Sequence, residues 1–291
     1  MREKGRYQSV SRSSNLASRV FLLILLLSVG CSPVATPEST DKMKVTVSIL
    51  PQQYFVERIG GQHVNVNVMV LPGASPATYE PKPEQLKALS QADAYVSIGV
   101  PFENAWLERI ASANPDMLMV DTTQGIERVG DDPHIWLSPK LVKVQAQTIC
   151  DALAQLDPAH KAAYQANLNS LLADIDALDT EIRTTLAGVK SRKYMVFHPS
   201  WGYFARDYEL EMIPIELGGQ EPSAAELAAL ITEAKEAEVR VIFAQPEFST
   251  RDAETIAREI GGEVLLISPL ALDWLDNLRK AADVFAEALN Q

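Results

Sequence analysis

The sequence predicts an α/β protein of two lobes, each a (βα)4-type unit with a mainly parallel sheet, joined by one long rigid helix. Three observations carry this expectation. Short β-type runs alternate with helical patterns, and the whole alternation occurs twice along the chain. An apolar seam at helical spacing separates the two series. The 291 residues, 47% hydrophobic and 22% charged, suffice for two medium-sized cores.

Residues 1–31 read as an address rather than as part of the fold. A basic, Ser-rich stretch from Arg2 to Arg19 leads into a ten-residue apolar run, Val20 to Val29, interrupted only by Ser28, then Gly30 and Cys31. Ten residues are too few to span a bilayer, which needs about 20. A basic lead, a short apolar run and a small residue before a break describe a secretory signal. The segment resembles a bacterial lipoprotein signal, which implies cleavage before Cys31 and a lipid on that cysteine. Ser28 departs from the pattern, standing where Leu is usual. Ordinary secretion and an uncleaved anchor are the alternatives. Residues 32–42, rich in Pro, Ser and Thr, read as a flexible tether.

The first series occupies residues 43–157. Its strand candidates are residues 44–50, 64–70, 94–100 and 117–120, with helical stretches at 52–59, 83–91 and 103–113. A further helical pattern places Val142, Ala146, Ile149, Leu153 and Leu156 on one stripe. Cys150 adjoins that stripe and reads as a small core residue, because no activating neighbour is evident. The second series, in residues 191–291, offers strands at 194–197, 212–217, 239–243 and 263–267. Helices are expected at 202–208, 224–237, 251–260 and 272–289.

Between them, residues 158–190 carry Leu168, Leu171, Ile175, Leu178, Ile182 and Val189 along one seam. Pro158 suits a first helical turn and Gly188 an end. A helix of roughly 30 residues would be ~45 Å long and could brace both lobes. Such a brace implies small domain motions. A coiled-coil dimer is the rival reading of the seam, but a run this short is expected to pack on its own chain, in a monomer.

Formal charge is −12, and residues 1–31 hold five bases and one acid, a net +4, so the remainder carries −16. Nucleic acid is therefore excluded as an expected partner, since an acidic body repels phosphate. Of the four histidines, His63 and His160 read as surface side chains. His134 and His198 each sit where apolar structure gives way to a Pro-marked loop, and His198 directly follows a strand candidate. Ligands gather outside the carboxyl ends of strands in open α/β sheets, and neutral imidazole is a common metal ligand. No HExxH, CxxC or EF-hand spacing is present.

A larger set of motifs decides the reading. SILPQQYFVERIGG (48–61), LPGASPATYEPKPEQLKALSQADA (71–94), DPHIWLSP (132–139), FHPSWGYFARDYEL (197–210), EPSAAELAAL (221–230), VIFAQPEFS (241–249) and ISPLALDWLDNL (267–278) follow one another in order. In these the chain resembles the zinc- and manganese-type solute-binding proteins of bacterial ABC importers. The resemblance implies two lobes on a long helix, a metal in the cleft, no enzymatic activity and delivery to a membrane permease. It also implies an extracytoplasmic location, in the periplasm or on the outer face of the cytoplasmic membrane, where the lipid would hold the chain. The cargo would be a divalent transition metal, zinc slightly favoured over manganese, with no organic cofactor.

Carried over position by position, His134 and His198 match two of the family's metal ligands. Ala77 stands where a histidine is usual, and Ser268 where an aspartate is usual. Gln245 replaces the usual Glu before Pro246. Two neutral imidazoles leave a dication uncompensated in a partly buried cleft. Glu80, Gln245, Glu247 and Ser268 are therefore further cleft or ligand candidates, with Asp131 and Asp132 beside His134. Water or a chelator carried by the metal could also complete the site, or the cleft could take a non-metal molecule. Lesser alternatives are a metal-dependent hydrolase using His198 and Ser200, and a surface adhesin. Trp136, Trp201 and Trp274 read as packing residues, and Arg206–Asp207 as either a buried pair or a solvated face.

Overall fold

A computed structural model describes residues 42–216, 220, 222–247 and 250–291, together with Met1. The signal, Cys31 and almost all of the tether lie outside the described residues. Residues 42–291 group as one compact unit. No described helix is long and apolar enough to cross a membrane.

The first lobe contains β1 (Met43–Val47), α1 (Leu50–Gly60), β2 (Val64–Val68), α2 (Pro83–Leu89), β3 (Ala94–Ser97), α3 (Pro101–Ala113), β4 (Leu118–Asp121) and α4 (Pro139–Leu156). The second contains β5 (Lys193–Val196), α6 (Gly202–Asp207), β6 (Glu211–Pro214), α7 (Ala224–Glu236), β7 (Val241–Ala244), α8 (Arg251–Ile260), β8 (Glu263–Leu266) and α9 (Trp274–Ala288). Between them runs α5 (Lys161–Leu186). The two sheets have the orders β2-β1-β3-β4 and β6-β5-β7-β8, parallel at every pairing. The chain therefore builds two α/β lobes with the same topology on one long helix.

Each sheet reverses its strand order beside its first strand, at β1/β3 and at β5/β7. Such a switch point opens a crevice at the carboxyl ends of the strands. Strands are shorter than the apolar runs because the runs continue into the crossover. Ile49, within the first run, is wholly buried yet serves as the N-cap position of α1.

The seam expected in the connector is present, with Leu168, Leu171, Ile175, Leu178 and Ile182 all buried. Tyr164 and Leu186 extend it, while Val189 lies beyond the helix and is only partly buried. Pro158 opens a separate 3-10 turn, Pro158–His160, so α5 has 26 residues, about 39 Å of helix. It packs on α1 and α4 of the first lobe and α9 of the second. Ion pairs flank this packing: Arg58–Asp174 at 2.6 Å and Lys143–Asp176 toward the first lobe, Arg279–Glu181 at 2.8 Å toward the second. Cys150 is buried in α4, as are four of its five expected stripe residues, while Leu156 is exposed.

Candidate metal centre

The segment 132–139 folds around its ends. Ser138 caps α4, its Oγ accepting from Leu141 N at 3.1 Å, and Pro139 takes the first helical position. Ile135, Trp136 and Leu137 are buried. Asp132 Oδ1 accepts from the His134 backbone N–H at 2.9 Å and meets His134 Nδ1 at 2.6 Å. The turn thus fixes the ring of His134.

The same segment is fastened to the second lobe. Trp136 Nε1 donates to Pro269 O and Trp274 Nε1 donates to Trp136 O, each at 2.7 Å. Tyr203 Oη donates to Asp132 O at 3.2 Å and accepts from Val129 N at 2.9 Å. Ser138 Oγ donates to Asp207 Oδ2. Trp136, Trp201 and Trp274 are all buried, as expected of packing residues. The Arg206–Asp207 pair forms at 2.8 Å, with the aspartate partly buried and the arginine side chain 42% exposed.

On the second lobe, the backbone beyond β5 and β6 keeps pairing. Ile215 N donates to Val196 O and Glu216 N to Phe197 O. That register brings Glu216 beside His198, with Glu216 Oε2 2.7 Å from His198 Nδ1. An ionised carboxylate can only accept, so each carboxylate keeps the proton on Nδ1 and leaves the lone pair of its imidazole on Nε2. Burial also pushes the pKa of His134 below its ordinary value; Asp132 opposes this and His198 adds to it. His134 is therefore neutral, the form that binds metals.

The two rings lie across the cleft with centroids 5.3 Å apart and planes inclined at 73°. A tetrahedral ion held ~2.0–2.1 Å from two imidazole nitrogens places ring centroids roughly 5 Å apart. The cleft around them has an empty volume of about 520 Å³, including its open mouth. Gln245 and Glu247, just beyond β7, line it together with Ala77 and Trp136. Ala77, where the resemblance suggested a missing donor, is exposed at the mouth. Its loop is held by Phe102 N donating to Pro76 O at 3.1 Å.

Glu247 carries the informative polar atom. Its Oε1 accepts from Ser268 Oγ at 3.1 Å, and its Oε2 is buried with no hydrogen-bond partner among the described residues. An unpaired buried carboxylate oxygen is costly, and a cation in the cleft would satisfy it. Ser268 lies outside this lining; besides bonding Glu247 it accepts from Leu270 N at 3.1 Å. Gln245 is buried and donates from Nε2 to Ser200 Oγ at 2.5 Å. Glu80 is exposed and absent from the cleft lining. Asp131 offers its backbone oxygen to Arg128 Nη2 at 3.0 Å. His134, His198, Gln245 and Glu247 thus line one cleft, with Ser268 behind Glu247, but the ligand atoms of the two histidines and Glu247 do not all lie within 4.8 Å of one another.

Sequence reasoning missed Glu103. It is buried, and its carboxylate accepts from Ser48 Oγ and from the backbone N–H groups of Ile98 and Gly99. Burial raises its pKa, against those hydrogen bonds. It holds the chain that leads into Val100 and Pro101 on the cleft wall. Its sequence signal was no more than a glutamate in the first turn of a helix.

The family model for the periplasmic component A of zinc-uptake complexes matches residues 45–288. The high-affinity zinc uptake system protein ZnuA of Bacillus subtilis is 26% identical over 306 residues, covering 92% of this chain and 94% of that one. The manganese-binding lipoprotein MntA of Halalkalibacterium halodurans is also 26% identical, with coverage of 94% and 98%. A crystal structure of ZnuA superposes with a TM-score of 0.84 at 52% identity, covering 85% of this chain and 99% of that chain. The match spans both lobes and the helix between them, and the chain belongs to the family of periplasmic zinc-uptake component A proteins.

Proposed function

We propose that the protein is the extracytoplasmic receptor of a metal ABC importer, which takes a divalent transition ion into the cleft and delivers it to a membrane permease. His134 and His198 bind through Nε2, one from each lobe, and Glu247 supplies the charge that two neutral imidazoles lack. The observation that carries this reading is the buried, unpartnered Oε2 of Glu247 in a cleft that also holds two carboxylate-oriented imidazoles 5.3 Å apart. Two nitrogens and one carboxylate suit zinc better than magnesium or calcium, and manganese is the second candidate. The mouth at Ala77 leaves room for water, or for a chelator's donor, as a further ligand.

A hydrolase is not favoured. Ser200 is wholly buried and its Oγ accepts from Gln245, so it faces no substrate. Cys31 lipidation, in a monomer tethered by residues 32–42, completes the proposal; mass spectrometry of the mature N-terminus tests the anchor, and an unmodified Cys31 removes it.

Titration calorimetry of metal-stripped protein with zinc and with manganese tests the cleft. His134→Ala and His198→Ala are expected to weaken the tight site at least a hundredfold, and Glu247→Gln at least tenfold. Unchanged affinity in both histidine variants would overturn the reading. Tighter capture of a chelated ion than of the free ion would reassign the cargo.

A further inference from the structure

We infer that His63, Asp157 and His160 form a second, weaker site for a divalent transition ion, away from the cleft. One donor atom from each residue lies within 4.8 Å of the others, and all three side chains are partly buried. His160 Nδ1 is 2.6 Å from Asp157 Oδ2, and Tyr164 Oη donates to the same oxygen at 2.7 Å. The ring of His63 stacks on that of His160, with centroids 3.9 Å apart and planes inclined at 25°. The edge of Tyr164 closes the group, 5.9 Å from the His63 ring.

Local chain geometry assembles the three residues. His63 ends the 3-10 turn Gly61–His63 and directly precedes β2. Asp157 caps the end of α4, and His160 is the N-cap residue of α5. Asn167 Nδ2 donates to Ile59 O at 2.9 Å and so docks the end of α1 on α5, which holds His63 over that corner. Because the sheet is parallel, the amino end of β2 lies opposite the carboxyl ends that face the cleft. The two sites share no residue.

Two imidazoles and one carboxylate favour zinc, cobalt or nickel over magnesium and calcium. A zinc ion places its ligand atoms roughly 3.3–3.6 Å apart at its ordinary bond lengths. The rings, stacked with centroids 3.9 Å apart, must therefore splay, and the three donor atoms, which lie within 4.8 Å of one another, must adjust to that spacing. That rearrangement makes the site weaker than the cleft, whose rings already stand at the required separation. A bound ion would join the end of α1 to the α4–α5 corner.

The test is zinc stoichiometry by calorimetry on the metal-stripped full chain, with circular dichroism confirming that each variant folds. Wild type is expected to bind two equivalents, the second at least tenfold weaker. His63→Gln with His160→Gln removes the weak equivalent only, and His134→Ala with His198→Ala removes the tight one only. In that second variant, cobalt is expected to give a visible absorption that disappears when His63→Gln and His160→Gln are added. A single equivalent lost with His134 and His198, or a weak equivalent that survives replacement of His63 and His160, overturns the inference. A single equivalent lost only with His63 and His160 would support it and defeat the cleft reading instead.

Discussion

Each cleft histidine is tied through Nδ1 to a carboxylate of its own lobe, Asp132 for His134 and Glu216 for His198. Such partners set ring orientation and tautomer, and their loss ordinarily costs 10–100-fold in metal affinity. Asp132→Ala and Glu216→Ala should each weaken zinc binding by that range, measured by competition with a chromophoric chelator. Gly202→Ala should act in the same direction, because a Cβ there would sit 3.0 Å from Asp132 Oδ2 and press on the carboxylate that aims His134. The lowered pKa of His134 carries a sign for stability. Between its folded value and the ordinary value near 6.5, the unfolded chain takes up a proton that the native site does not. Stability of the metal-free protein should therefore fall as pH drops through the ordinary histidine range, and level off below the folded value. Urea unfolding at several pH values should show this slope, reduced in His134→Gln. His134 and His198 were legible in the sequence because Pro-marked loops and family motifs single them out. Glu247 was legible only as one acid among several, since its nearness to Ser268 comes from β7–β8 pairing that no local pattern encodes.

At the scale of elements, α5 carries the argument. Its buried face is a single apolar stripe that meets α1, α4 and α9, so one helix contributes to the cores of both lobes. Leu178 is wholly buried near the centre of that stripe. Leu178→Ala should cost about 2–5 kcal/mol, from lost transfer energy plus the cavity left behind, read by denaturant unfolding. The spacing of leucines and isoleucines made this helix legible, but not its ends. The first turn after Pro158 is 3-10, and the stripe closes on Leu186 rather than Val189 because helical periodicity fails once the chain leaves the helix at Ala187. Strand ends were blurred for a related reason. Apolar residues such as Ile49 and Ile98 stay buried as the chain turns from strand toward helix, so hydrophobicity alone does not mark the switch. His63 and His160 show the same limit. Each reads singly as a surface residue, and only the α1 and α4–α5 corners stack them.

For the whole molecule, the two lobes meet along the segment 132–139 as well as along α5. Across that seam the Trp136 indole donates to Pro269 O and the Trp274 indole donates to Trp136 O, and Tyr203 and Asp207 hold its ends. His134 is therefore seated against the second lobe while belonging to the first, which is how it comes to face His198. Capture in the cleft requires both imidazoles, with Glu247, to grip one ion. X-ray absorption at the zinc edge tests this most directly, on protein carrying His63→Gln and His160→Gln and loaded with one equivalent. Two imidazole rings and carboxylate oxygen are expected around the ion at ~2.0–2.2 Å, falling to one ring when His198→Ala is added. A tightly bound zinc with one imidazole or none would contradict it.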